Sequence, residues 1–381
     1  MRLAYAAIIL ETSKPNCNFT CQVMAASSIQ SVIVATGSYI PEIKISNQDF
    51  LNHTFFEKDG SPIKKDTASI VEKFKDITGI EERCYAKPEQ KASDLGFLAA
   101  KNALEQSGLD QESLDYIIVA HNFGDVAHNS NRVDIVPSLA SRVKYLLQIK
   151  NPDCVAYDLP FGCPGWLEGV IQANYYIQSG DAKRCMVIGA ETLSRVIDPH
   201  DRDSMIYADG AGAVILEGRK GTEGILSHKT QTHASEHALL LNMDHSYDPQ
   251  TRDNDIFIKM NGRRLYEFAL SHVPHVVKTA LDKANVHLSQ INKVLIHQAN
   301  EKMDEAILNR LFKLYGLEFN NRSVMPMIIS WLGNSSVATI PTLLDLMLRG
   351  KLNGQNIKKG DKVVFASVGA GMNINAVVYQ F

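Results

Sequence analysis

Apolar positions along this chain fall into two alternating rhythms. IQSVIVATGSYIP (29–41) is a β-branched run closed by Gly and Pro, the pattern of a strand entering a loop. Residues 92–108 (ASDLGFLAAKNALEQSG) open on a Ser/Asp cap signal, keep apolar residues at helical spacing and stop at Gly. LDYIIVAHN (114–122) is then a continuous apolar run, which predicts a buried strand. Helices alternating with such strands predict an α/β fold whose sheets are covered on both faces.

The second half repeats this theme. A helical pattern over 265–284 leads into LSQINKVLIHQAN (288–300), which is similar to QESLDYIIVAHN (111–122). Gly162-Cys163 precedes a helical stretch ending at Ser179-Gly180, and Gly333-Asn334 precedes another ending at Arg349-Gly350. Each is followed by a strand pattern, CMVIGAE or KVVFASV, and glycine-rich turns are expected in both DGAGAVILE (209–217) and VGAGMNINAVVY (368–379). A diverged duplication follows, with halves 24–218 and 219–381 after a tail of 23 residues. In it Cys163 and Asn334 occupy equivalent helix N-termini across a pseudo-twofold axis. The tail MRLAYAAIIL…QV reads as disordered, or as a start assigned too early with Met24 as the true beginning.

Composition narrows the function classes. Of 381 residues 45% are hydrophobic and 21% charged, and 39 basic against 42 acidic residues leave a formal charge of −3. This near balance, without a basic run, speaks against nucleic acid as a partner. No apolar stretch reaches the roughly 20 residues of a membrane span. The six cysteines (17, 21, 84, 154, 163, 185) lack paired metal-ligand spacing and are too sparse for a disulfide scaffold, so a reducing cytoplasm is the expected setting.

Among those cysteines, Cys163 in DLPFGCPGWLEGV (158–170) is framed for backbone geometry. Gly162 and Gly165 permit a tight strand-to-helix turn, Pro164 suits the first helical turn, and a helix N-terminus is expected to lower a thiol pKa. A small buried hydrophobe is the ordinary fate of a cysteine and suits Cys154 and Cys185. His297 in HQAN (297–300) ends an apolar strand, where α/β sites lie, and Asn334 follows Gly at a helix start with Ser335 and Ser336 as further donors. Plain N-capping is the alternative for Asn334. Together Cys163, His297 and Asn334 offer a nucleophile, a proton handler or N–H donor, and a second donor for a developing oxyanion. The order Cys…His…Asn also occurs in papain-like proteases, but GCPGW lacks their preceding cysteine and lies deep in the chain.

From Met24 to Phe381 the sequence resembles the β-ketoacyl-acyl-carrier-protein synthase III family of the thiolase superfamily. The resemblance rests on VIVATGSYIPE, TGIEER (78–83), SDLGFLAAKNALEQSGLD, DLPFGCPG, IDPHDRDSMIYADGAGAVILE (197–217), IHQANEKM, GNSSVATIP and VGAGMNINAVVYQF, in that order. It implies the duplicated five-layer α-β-α-β-α thiolase fold, a homodimer, and an acyltransferase that needs no metal or cofactor beyond coenzyme A or acyl-carrier-protein thioesters as substrates. Cys163 would carry the acyl group. His297 and Asn334 would stabilise the enolate formed when a malonyl-acyl-carrier protein loses carbon dioxide, and Gly369-Ala370-Gly371 with the Cys163 N–H would form the oxyanion hole. Arg202 matches a residue that holds the coenzyme A nucleotide, and Lys302 one that docks the carrier protein. The product is a β-ketoacyl thioester for fatty-acid initiation or a secondary-metabolite pathway.

The chain departs from that family where acyl donors are chosen. Lys73, Phe74 and Ile77 stand near the positions where acetyl-CoA-using members place a Trp and an Arg against adenine. The loop HNFGDVAHNSNRVDIV (121–136) is longer than usual and puts Val136 where Phe often floors the partner's acyl pocket. Pro164 and Trp166 also follow the cysteine in place of small residues or Phe. A smaller floor implies a donor larger than acetyl. Alternatives within the superfamily are acyl–acyl condensation without decarboxylation, for which Asp134 is the nearest carboxylate to a base, and acyl transfer to an alcohol or amine.

Overall fold

The structure is a computed structural model and describes residues 29–251, 254–320 and 322–381; the tail 1–23 lies outside them. Two sheets organise the described residues. The first uses β1 (Ile29–Tyr39), β2 (Tyr116–His121), β3 (Val155–Pro160), β4 (Arg184–Thr192) and β5 (Asp209–Lys220), in the order β1-β5-β4-β2-β3. The second uses β6 (Gly224–Thr232), β7 (Ile291–Ile296), β8 (Lys362–Gly369) and β9 (Asn373–Gln380), in the order β6-β9-β8-β7. Each contains a parallel pair, β2 with β4 and β7 with β8, and an antiparallel return, β4 with β5 and β8 with β9.

Seven helices introduced here in chain order are α1 (Thr67–Thr78), α2 (Ala92–Ser107), α3 (Leu139–Leu146), α4 (Gly165–Ser179), α5 (Gly262–Ala284), α6 (Glu301–Lys313) and α7 (Thr339–Leu348). Helices α4 and α7 are apolar nearly all round because both faces are covered. Leu167, Val170 and Ile171 share one core with Leu343, Leu344 and Met347, between Ile118 and Val187 of the first sheet and Phe365 and Val377 of the second. Helix α2 covers the outer face of the first sheet through Leu95, Ala99 and Ala103, and α5 with α6 covers the second. Five layers, α-β-α-β-α, result.

The stretch DGAGAVILE, expected as a turn, is the start of strand β5. Its glycines serve close packing instead: a Cβ on Gly212 would lie 2.7 Å from Pro341 Cβ of α7. The turn between β8 and β9 is real and contains Gly371 at φ +76. Helix α4 starts at Gly165, with Pro164 as its helical-angled cap, whereas the stretch after Asn334 begins as a 3₁₀ turn (Ser336–Ala338) before α7.

Candidate active site

Cys163 sits at the entrance to α4, directly after Gly162 at φ +69. A side chain on Gly162 would come within 2.9 Å of the Ala370 nitrogen, so this turn and the Gly369–Gly371 turn interlock at the glycines. A Cβ on Gly369 would likewise be 2.7 Å from the Cys163 nitrogen. The second turn is braced by Asn373, whose Nδ2 donates to Ala370 O at 2.8 Å, and by the His233 N–H, which donates to Met372 O at 3.0 Å.

A cavity of about 40 Å³ is lined by Cys163, His297, Asn334, Ser336, Asn122 and Gly369, among others. His297 directly follows β7, and its N–H donates to Ala366 O at 2.9 Å. Its ring is buried and Nδ1 has no partner. Burial pulls its pKa down to about 4, against a hydrogen bond to the Ser336 backbone, so the imidazole is neutral at pH 7. Asn334 is also buried; its Oδ1 accepts from Ser336 N at 2.8 Å, which turns Nδ2 outward as the free donor. This is a local Asx-type turn, and the N-cap of the following 3₁₀ turn is Ser335, which makes no side-chain capping bond.

The expected lowering of the thiol pKa at a helix end does not occur. Burial pushes the Cys163 thiol up to about 11, and the nearby Glu191 carboxylate adds to the rise, while a hydrogen bond from Ser336 Oγ to Sγ at 3.2 Å works against it. The helix-end effect is worth ~0.3–1 kcal/mol, less than the desolvation of a thiolate in this narrow cavity. Glu191 and Asn122, which the sequence did not single out, hold that serine. Asn122 N donates to Glu191 Oε1 at 2.6 Å, and Asn122 Nδ2 donates both to Glu191 Oε1 and, at 2.8 Å, to Ser336 Oγ. Both residues end parallel strands of the first sheet, and that placement was the available signal.

The small cavity shares Ile206, Met260, Leu265, Ala299 and Met303 with a cleft of about 990 Å³ that opens to the surface. Lys64, Lys65, Lys73, Arg202 and Arg263 line this cleft, as do Phe74 and Ile77. Arg202 is half-exposed and contacts Glu57 at 3.4 Å. Lys302 is exposed on the first turn of α6, between the cleft residues Asn300 and Met303. Trp166 faces away from the cavity, buried edge-on against Phe365, so it packs the core and does not line the acyl site. Val136 is 82% exposed beyond the end of a short ribbon (Asp125–Val126 with Val133–Asp134) and does not line the cavity. Among the described residues, no group of His, Cys, Asp and Glu is arranged to hold a metal ion.

A half-buried thiol beside a buried imidazole and a buried carboxamide, reached by a long cleft on a five-layer duplicated fold, defines a thiolase-fold acyltransferase. Residues 157–234 match the model of 3-oxoacyl-[acyl-carrier-protein] synthase III, and residues 281–381 match that of its C-terminal domain. The chain is 33% identical over 350 residues to the β-ketoacyl-[acyl-carrier-protein] synthase III of Neisseria meningitidis serogroup B, covering 92% of this chain and 98% of that protein. It is 30% identical to the enzyme of that name from Salmonella arizonae, covering 92% and 99%. The solved structure of the Thermus thermophilus β-ketoacyl-[acyl-carrier-protein] synthase III superposes with a TM-score of 0.76 at 28% identity, covering 92% of this chain and 99% of that one. The chain belongs to the β-ketoacyl-acyl-carrier-protein synthase III family.

Proposed function

We propose that this enzyme joins an acyl thioester to a malonyl thioester by decarboxylative Claisen condensation, initiating a fatty-acid or related acyl chain. The observation that carries this reading is the shared cavity of Cys163, His297 and Asn334 at the inner end of the cleft. Cys163 Sγ attacks the donor carbonyl and forms the acyl-enzyme, and the released coenzyme A or carrier thiol takes the cysteine's proton. The malonyl thioester then loses carbon dioxide. The electron pair left behind forms an enolate, whose oxygen accepts from the neutral His297 ring and from Asn334 Nδ2. The carbanion attacks acyl-Cys163, the oxyanion is held by the Cys163 N–H and the Gly369–Gly371 turn, and Sγ leaves as the β-ketoacyl thioester forms.

The neutral imidazole supports a donor role. For condensation without decarboxylation a base must remove an α-proton, and Asp134 is poorly suited. Arg142 Nη2 donates to it at 2.7 Å and holds its carboxyl below the usual carboxylate range.

The cations along the cleft suit the phosphates of coenzyme A or of a carrier protein's prosthetic arm, with Arg202 on the cleft wall and Lys302 outside it. No metal or redox group enters any step. The apolar tip of Val133, Ile135 and Val136 supports a homodimer in which Val136 floors the partner's acyl pocket, with room for a donor longer than acetyl. The free Cys84, Cys154, Cys163 and Cys185 suit a reducing cytoplasm, and no described helix is long and apolar enough to cross a membrane. Incubation with a series of acyl-CoAs and malonyl-acyl-carrier protein, with mass spectrometry of protein and products, tests the reading. An acylated Cys163 and a β-ketoacyl product two carbons longer are expected. Carbon dioxide release without that product would refute condensation, and exclusive acetylation would refute the larger donor.

A further inference from the structure

The reaction twice places charge on Cys163 sulfur, once as it attacks and once as it leaves. Yet the cavity lining contains no Lys or Arg among the described residues, and His297 is neutral. Among the described residues, the side-chain hydrogen bond to Sγ comes from the Ser336 hydroxyl. Ser336 is held at φ +53, a left-handed conformation unusual for a residue with a side chain, and this brings Oγ against the sulfur.

The direction of that bond follows from donor and acceptor counting. Asn122 Nδ2 has two protons; one goes to the Glu191 carboxylate, which fixes the amide's orientation, and the other to Ser336 Oγ. One Oγ lone pair accepts from Asn122, and against a thiolate, which can only accept, the Ser336 hydroxyl directs its own proton at Sγ. Glu191 is buried and accepts twice from Asn122, at the backbone N–H and at Nδ2.

We propose that Ser336 is a further catalytic residue, whose hydroxyl, aimed by Asn122 and Glu191, stabilises the Cys163 thiolate in attack and departure. The inference rests on the condensation reading above. In the acyl-enzyme the sulfur is a thioester and a weak acceptor, so the bond is strongest when sulfur carries the electron pair. That occurs as the C–S bond breaks and the β-ketoacyl thioester departs, after which Sγ regains a proton from solvent. The interaction therefore favours the transition state over the acyl-enzyme. The titratable groups around Cys163 are Glu191 on β4, Tyr207 before β5, His297 after β7, and His121 on β2 behind Glu191.

The test is iodoacetamide alkylation from pH 7 to 10, followed at the peptide containing Cys163, in the parent, S336G and N122A. Glycine accepts φ +53 without strain, so S336G keeps the turn. Loss of a hydrogen bond to a charged group lowers alkylation ~10–100-fold at each pH in S336G. Loss of the neutral Asn122 bond lowers it ~2–10-fold in N122A, with Ser336 intact. Consumption of acyl-Cys163 by malonyl-acyl-carrier protein should slow in parallel in S336G. Parental alkylation in both variants, with melting temperatures unchanged, overturns the assignment. Alkylation needs no acyl substrate, so failure of the parent to form acyl-Cys163 would strike the condensation reading alone.

Discussion

Replacement of Gly369 by alanine isolates the contact between the two active-site turns. Gly369 has φ −171 and ψ −164, extended angles that alanine adopts freely, so the substitution brings no backbone strain. What it brings is a collision. The new Cβ would lie 2.7 Å from Cys163 N, 2.7 Å from Pro164 Cδ and 2.9 Å from Cys163 Cβ, where ordinary contact begins at 3.4 Å. None of these atoms belongs to a flexible side-chain end, so the turns must part by about 0.7 Å, the difference between 3.4 and 2.7 Å. Overpacking of this kind costs ~1–3 kcal/mol in stability. A misplacement approaching 1 Å, or loss of one oxyanion donor, costs ~100-fold or more in rate. Acylation of Cys163 by acyl-CoA, timed by intact-protein mass spectrometry, should therefore slow ~100-fold in G369A, while thermal unfolding shows a folded protein. A folded G369A that acylates within threefold of the parent would refute the claim that this turn and the Cys163 N–H act as one oxyanion site.

Three further outcomes follow from separate parts of the molecule. V136F should shift the acyl-Cys163 population ~10-fold toward acetyl in a competition among acyl-CoAs; an unchanged distribution would remove Val136 from the pocket floor. Lys259 is buried against Asp198 and Asp201 and lies over the Tyr247 ring at 3.4 Å, so K259M strands buried carboxylates and should cost about 3–5 kcal/mol in urea unfolding. A loss under 1 kcal/mol would contradict this. For His297 the folded pKa of about 4 lies below the ordinary 6.5, so the unfolded chain binds the proton first as pH falls. Its contribution is complete above pH 6.5 and drains between 6.5 and 4, by about 3 kcal/mol in all. The drop in urea midpoint from pH 7.5 to 5 should be smaller in H297N, and equal drops in the two proteins would refute the assignment.

Much of the site was legible in one dimension because its geometry is local. The glycine before Cys163, the proline after it, and the strand ending at His297 are turn and terminus signals, each written within a few neighbouring residues. DGAGAVILE shows the limit of such signals. Its glycines look like a turn, but they are the flat part of β5 against which Pro341 packs, and no local pattern says that another helix needs the space. Trp166 misled in the same way: beside the nucleophile in sequence, it points with the apolar face of α4 into the central core, beside Phe365.

The sequence by itself determined the alternation of strands and helices, the repeated pattern of the two halves, and the turns and strand end that carry Cys163, His297 and Asn334. Hydrophobic period and turn chemistry act over short stretches and survive without the fold. Only the tertiary structure decided the electrostatics. Whether a helix end lowers a thiol pKa depends on how much water remains around the sulfur, and here the fold half-buries Cys163 at the inner end of a narrow cavity, so desolvation prevails. The same burial keeps His297 neutral and leaves Ser336, carried to Cys163 from 173 positions away, as the group that donates to the sulfur.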